Sequence, residues 1–263
     1  MKTIGITGGS GFVGTHVSDL LVNAGYRVII FTRDAGKKAP SSRLQYAHWD
    51  PEKEACDIKA LKEVDGIVHL AGAGIADKRW TEKRKQEIVD SRIKGTTFLV
   101  NQVMLHAQQC KVLVSASAIG YYGADNGQGP FTEDMPPAHD FLGATCVQWE
   151  QASAFADDFL RRVVLRFGIV LGKHSGAFKE FEAPTRWGVA PILGSGKQVI
   201  SWIHIDDLSR LILAAIENEN MRGMYNAVSP EPVTNAALMK SIRKHKKGIQ
   251  IPVHVPAFAL KIA

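Results

Sequence analysis

The stretch TIGITGGSGFVGTH, residues 3–16, constrains the fold more than any other part of the chain. A short β-favouring run enters a glycine cluster, and a helical pattern begins directly behind it. Two glycine spacings are met at once, Gly8, Gly11 and Gly14, and Gly9, Gly11 and Gly14. Glycines allow a tight turn and close backbone approach, and the helix that follows turns free N–H groups and its positive end toward a pyrophosphate. A glycine pattern alone is weak, and an ordinary glycine-rich β-α turn is the competing reading. Strand, turn and helix in that order point instead to a bound dinucleotide contacted by Gly8, Gly11, Phe12, Val13 and Gly14.

The first 170 residues continue the alternation. TIGITG, RVIIFT, LQYAHW, GIVHLAG, KVLVSAS and RVVLRFG are candidate strands, separated by helical patterns such as VGTHVSDLLVNAG and the longer WTEKRKQEIVDSRIKGTTFLVNQVMLHAQQ. Such alternation predicts a doubly wound parallel α/β sheet with helices on both faces. After Gly168 the texture shifts to Gly, Pro and Trp interruptions. We therefore expect a nucleotide-binding domain over 1–170, with 200–228 returning to it, and a small C-terminal substrate lobe from 171–199 and 229–263. The closing VHVPAFALKIA stops in an apolar stretch, so residues are expected to be missing after Ala263.

With 263 residues, 45% of them hydrophobic, the chain can bury a full core. Its first residues show no basic segment, apolar signal core or small-residue cleavage site, so no export is expected, and no apolar run approaches the roughly 20 residues that span a bilayer. Three cysteines, without a CxxC pair, fit a reducing compartment, and a cytoplasmic location is expected. The net charge of +6 and the basic runs KRWTEKRK and RKHKKG raise nucleic acid, but solvated helix faces and an anionic cofactor explain them more simply. Neither a nucleic-acid nor a membrane partner is expected. The nine histidines show no metal-ligand spacing, and no metal is expected.

The end of the second strand selects the dinucleotide. An NAD site wants a carboxylate there, but RVIIFTRD places Thr32 and then Arg33. A guanidinium suits a 2′-phosphate through paired, charge-assisted bonds, which favours NADP(H) over NAD. Asp34 is the competing candidate for NAD, and a solvated loop cation is the alternative for Arg33.

These residues, with GIVHLAG, LVSASAIGYYG, LRFGIVLG and SWIHIDDL, make the sequence resemble the extended and atypical short-chain dehydrogenase/reductases, a Rossmann superfamily. RWTEKRKQEIVDSR, FLGATCVQWE and GSGKQVISWIHIDDL are similar to its epimerase/dehydratase branch of unassigned substrate. The resemblance implies cofactor contacts at Thr32, Arg33, Leu70 and Ala71, and also at Glu87, Arg92 and Arg166. Arg92 lies in RIKGT, where extended members carry Asn-Val-x-Gly-Thr; a cation near the pyrophosphate and a helix-surface ion pair are both open readings.

Active relatives use a tyrosine as acid or base and a lysine four residues later. Aligning LGATCVQWE on that pattern puts Leu142 at the tyrosine and Cys146 at the lysine. Leu142 cannot transfer a proton, and Cys146 reads as a small packing residue rather than a reactive thiol. The remaining candidates are Ser117, which matches the family's serine, and the phenols Tyr121 and Tyr122; of these, Ser117 and Tyr122 are taken as the catalytic candidates. The expected protein is an NADP(H)-binding oxidoreductase or nucleotide-sugar-type epimerase without the usual pair. A cofactor-bound sensor or scaffold without turnover is the alternative. By analogy to relatives it is a monomer or a homodimer.

Overall fold

The computed structural model describes residues 1–37, 39–125, 127, 129–173, 176–246 and 251–255. Lys38, part of the RKHKKG run and the closing stretch from 256 onward lie outside the described residues, as does the side chain of Lys37. In chain order the elements are β1 (Thr3–Thr7), α1 (Phe12–Asn23), β2 (Arg27–Thr32), β3 (Leu44–Asp50), β4 (Ala55–Cys56), α2 (Ile58–Leu61), β5 (Gly66–His69), α3 (Glu82–His106), β6 (Val112–Ala118), α4 (Phe141–Ala154) and β7 (Arg161–Phe167). Then follow β8 (Ile169–Gly172), α5 (Gly176–Glu182), β9 (Val189–Leu193), β10 (Val199–Ile200), β11 (Trp202–His204), α6 (Ile205–Glu217), β12 (Gly223–Ala227), β13 (Val233–Thr234), α7 (Asn235–His245) and β14 (Ile251–Val255).

All six runs read as strands from the sequence are strands of one eight-stranded sheet, ordered β12-β7-β6-β5-β1-β2-β3-β4. The pairs β1/β2, β1/β5, β2/β3 and β5/β6 are parallel, and the two-residue β4 runs antiparallel to its neighbour β3. The chain lays down β1, β2 and β3 in one direction, then returns to the other side of β1 for β5, β6 and β7. That reversal puts the carboxyl ends of β1 and β5 side by side, the position where doubly wound sheets bind ligands.

The strands are apolar without alternation because both faces are covered; β1 is buried at every position. Phe31, Trp49, Ile67 and Leu113 of the sheet pack with Leu99 and Val103 of α3, each such buried side chain contributing about 1.5–3 kcal/mol. Thr81 caps α3 by accepting the Arg84 N–H at 3.2 Å, and Asp140 caps α4 by accepting the Gly143 N–H at 2.8 Å. By contrast α1 starts at Gly11 with no side-chain cap and no acidic residue in its first turn. Its free N–H groups are therefore left for something other than the chain's own side chains.

Contacts divide the chain into two compact units. The larger comprises Met1–Gly123, Phe131–Arg166 and Ser209–Asn226. The smaller comprises Ala124–Pro130, Phe167–Leu208 and the described part of the segment from Ala227. Within the smaller unit β9 and β14 pair in parallel, as do β8 and β11, and Ala190 packs with Met239 and Ile242 of α7. No helix among the described residues is long and apolar enough to cross a membrane. Among them no group of three His, Cys, Asp or Glu side chains could hold a metal ion.

Candidate cofactor and active site

The turn after β1 is shaped by what cannot be there. Gly8 has φ +70°, and a β-carbon on it would lie 2.8 Å from the carbonyl of Leu70 and from Ala71 N. A β-carbon on Gly14 would run into Gly8 O and Gly9 Cα. The two glycines thus let the end of β5 and the first turn of α1 close on the same loop, which is held by a Gly11 N–H to Gly8 O bond of 3.0 Å. Phe12 and Val13 open α1 and are half-buried. The arrangement leaves a bare backbone cradle under an uncapped helix start, and a pyrophosphate fits both features.

Beneath this cradle lies a residue that the sequence reading passed over. His69 is fully buried at the end of β5, with Nδ1 2.6 Å from Thr7 Oγ1 and Nε2 2.9 Å from Thr96 Oγ1. It ties β1, β5 and α3 together directly below the turn. Burial lowers its pKa to about 4, so the ring is neutral at pH 7. The available signal was a lone polar residue inside the apolar run GIVHLAG.

At the end of β2, Thr32 Oγ1 accepts the Asp34 N–H at 3.3 Å. Arg33 is exposed and has no hydrogen-bond or ionic partner among the described residues. Leu70 and Ala71 follow β5, where Leu70 N–H donates to Thr7 O at 3.1 Å. Glu87 is held by Arg84 at 3.0 Å. Arg92 donates from Nη1 to the Ala73 carbonyl at 3.0 Å, and its guanidinium stacks over the Trp149 ring at 4.9 Å.

The candidates for proton transfer converge on one buried ion pair. Arg166, 1% exposed, grips Glu150 with Nε to Oε1 at 2.8 Å and Nη2 to Oε2 at 2.9 Å. Ser117 Oγ donates to the same carboxylate at 2.6 Å. Tyr122 Oη accepts from Arg166 Nη1 at 2.7 Å and donates to Asn226 Oδ1 at 2.8 Å. The guanidinium also lies 3.6 Å from the Tyr121 ring centroid. Burial would lower the pKa of Arg166, but its bonds to Glu150 and Tyr122 outweigh that and raise it. For Tyr122 burial wins over the pull of Arg166, and the phenol is pushed above its ordinary value. Four of the five guanidinium donors of Arg166 are used within the protein, counting a bond to the Glu133 carbonyl at 3.2 Å.

The register of α4 puts Leu142 and Cys146 against the turn that carries the tyrosines. Leu142 Cβ lies 3.4 Å from the space a β-carbon on Gly120 would take, so aliphatic packing fills the tyrosine position. The Cys146 thiol donates to the Ala118 carbonyl at 3.7 Å. Burial, followed by the charge of Glu150, pushes it up to about 11, which leaves a neutral thiol at pH 7.

The sheet order and the glycine turn define a Rossmann-like nucleotide-binding protein. Residues 4–227 match the NAD dependent epimerase/dehydratase family, and the chain belongs to that family. The Epimerase family protein YfhF of Bacillus subtilis is 34% identical over 245 residues, covering 92% of this chain and 79% of the relative. Human epimerase family protein SDR39U1 (isoform2), solved with NADPH, superposes with a TM-score of 0.84 at 29% identity, covering 99% of this chain and 85% of that one. A nucleoside-diphosphate sugar epimerase from Corynebacterium glutamicum superposes with a TM-score of 0.78 at 32% identity, over 99% of this chain and 54% of its own.

Proposed function

We propose that the chain binds NADP(H) at the turn between β1 and α1 and acts as an oxidoreductase or epimerase on a nucleotide-sugar-type substrate, by a route without the tyrosine and lysine pair. The observation that carries the reading is the bare cradle at Gly8 and Gly14 under an uncapped helix start. Arg33, exposed and unpartnered one residue beyond β2, favours the 2′-phosphate form, and the NADPH bound to SDR39U1 agrees with that choice. The three free cysteines suit a reducing, cytoplasmic setting.

When bound, the cofactor would supply or accept hydride. The residues of this chain would do the rest. Thr32 and Arg33 hold the 2′-phosphate, the glycine turn with Phe12 and Val13 holds the pyrophosphate, and Leu70 and Ala71 floor the site. Glu87 and Arg92 border the loop after β5. Ser117 and Tyr122 polarise the substrate oxygen, with Arg166 behind both. Because burial keeps the Tyr122 phenol protonated, it serves as an acid rather than a base. Its 2.7 Å bond from Arg166 would steady the anion left after proton transfer. Once a turnover is found, Ser117→Ala and Tyr122→Phe should each lower it by about 100-fold or more, the scale of one acid or base; unchanged rates would refute these roles.

One observation favours the second reading, a cofactor-bound sensor without turnover. The hydroxyl protons of Ser117 and Tyr122 are both donated inside the protein, to Glu150 and Asn226. On that reading bound NADPH stays unoxidised across a broad carbonyl panel. Steady oxidation that depends on one substrate excludes it.

A further inference from the structure

The basic run KRWTEKRK is more than the solvated helix face that its charge suggests. Four side chains of RWTEKRKQEIVDSR tie down the loop that follows β5. Ser91 Oγ accepts the Ala73 N–H at 3.0 Å, Arg92 donates to the Ala73 carbonyl at 3.0 Å, Arg84 Nη2 donates to the Gly74 carbonyl, and Trp80 Nε1 donates to the Ile75 carbonyl at 2.7 Å. The last bond fixes the indole, yet Trp80 and Ile75 both remain 41% exposed. The Trp80 ring meets Phe141 edge to face, with centroids 5.3 Å apart, and Lys85 Nζ lies 5.7 Å from the centroid of the Phe141 ring. Phe141 directly precedes Leu142, which fills the tyrosine position, so the aromatic pair stands beside the candidate active site and within the same compact unit.

The charge around this pair is one-sided. Between Asp77 and Lys85 there are five cations and two carboxylates. Both carboxylates are taken, Asp77 by Arg84 at 3.7 Å and Glu82 by Lys85 at 2.8 Å, and Lys78, Arg79 and Lys83 make no ion pair among the described residues. Lys83, Arg84 and Lys85 open α3, where the helix dipole is already positive and cations are unfavourable. A large aromatic ring held open at the surface also leaves apolar area in water. One kind of ligand relieves both, an anion that carries a flat ring.

We propose that Trp80, Phe141 and Lys85 form a binding site for a ring-bearing anion, its ring lying on Trp80 and its negative charge drawn to Lys85 by the local excess of cations. Nucleoside phosphates and aromatic carboxylates share that chemistry. That the ligand is the substrate rests on the reading above; the binding site itself does not. The hydrogen bonds of the loop hold the indole in place before the ligand arrives, which removes part of the ordering cost of binding.

The test is calorimetric titration of the parent, Trp80→Ala and Lys85→Gln, each saturated with NADP+. UDP and naphthoate carry both ring and charge, uridine only the ring, and pyrophosphate only the charge. UDP or naphthoate should bind the parent with a Kd below about 1 mM, and uridine and pyrophosphate at least about tenfold more weakly. Trp80→Ala should weaken the bound ring-bearing anion about tenfold or more, the scale of one ring stacked on an aromatic side chain, and Lys85→Gln about threefold or more, while NADP+ stays within about twofold. Binding of UDP alone marks the ligand as a nucleoside phosphate, and binding of naphthoate alone marks it as an aromatic carboxylate. The proposal is overturned if neither binds, if pyrophosphate binds as tightly as the ring-bearing anion, if Trp80→Ala leaves the affinity unchanged, or if that variant loses NADP+ to the same degree. Should Trp80→Ala not fold, unchanged binding in Lys85→Gln decides against it. A parent without affinity for NADP+ fails the cofactor reading, and the same titrations of the cofactor-free chain still decide this one.

Discussion

Glu150 and Arg166 are each nine-tenths or more buried, so each is tolerable only because of the other. Glu150→Ala leaves a guanidinium without its counter-charge and should cost about 3–5 kcal/mol, read from denaturant midpoints. Replacing both by methionine should cost clearly less than that single change; equal costs would mean the pair is not coupled. His69 makes a second prediction at this scale. Its folded-state pKa of about 4 lies below the ordinary value of 6.5, so the unfolded chain binds the extra proton between those limits. Its contribution is therefore complete above pH 6.5 and lost as the pH falls toward 4, by roughly 3 kcal/mol in all. His69→Gln should flatten that part of the stability profile, and an unaltered profile would show that another group governs it. Both features were only half legible in the sequence. Arg166 in RVVLRFG and His69 in GIVHLAG stand out as polar residues within apolar runs, but their partners lie 16 residues or more away in sequence. Nothing local in either run names them.

At the scale of elements the sequence was far more informative, because strands and helices are set by periodicity and turn residues. The six apolar runs became strands of one sheet, and the glycine after the first helical pattern, Gly25, does take a positive φ of +93° just beyond α1. The short β4 and the edge strand β12 gave no such signal: one is two residues long, and the other, GMYNA, is neither uniformly apolar nor alternating. The register of α4 was readable from LGATCVQWE, whereas the approach of α3 to it was not, since helix packing depends on side chains far apart in the chain. The tight joint between β1 and α1 yields a prediction of its own. Gly14→Ala forces a methyl into the turn backbone and should cost about 1–3 kcal/mol while weakening dinucleotide binding. Wild-type stability and affinity in that variant would mean the turn can open without loss.

For the whole molecule, the eight-stranded order places the cradle, His69, Arg92 and the Arg166 network within one compact unit. Ligand binding to the folded state then stabilises the unit by mass action, so a saturating cofactor should raise Tm. The fold class followed from alternation alone, but substrate identity did not, because loops after Gly168 have no periodicity from which shape can be inferred. The most direct test is a parallel titration of cofactor-stripped protein with NADPH and NADH, following the fluorescence of its five tryptophans. The account predicts tight NADPH binding, weaker NADH binding, and loss of that difference in Arg33→Ala. Equal affinity for the two would return the choice of dinucleotide to Asp34, and binding of neither would contradict the central claim that the glycine turn is a working cofactor site.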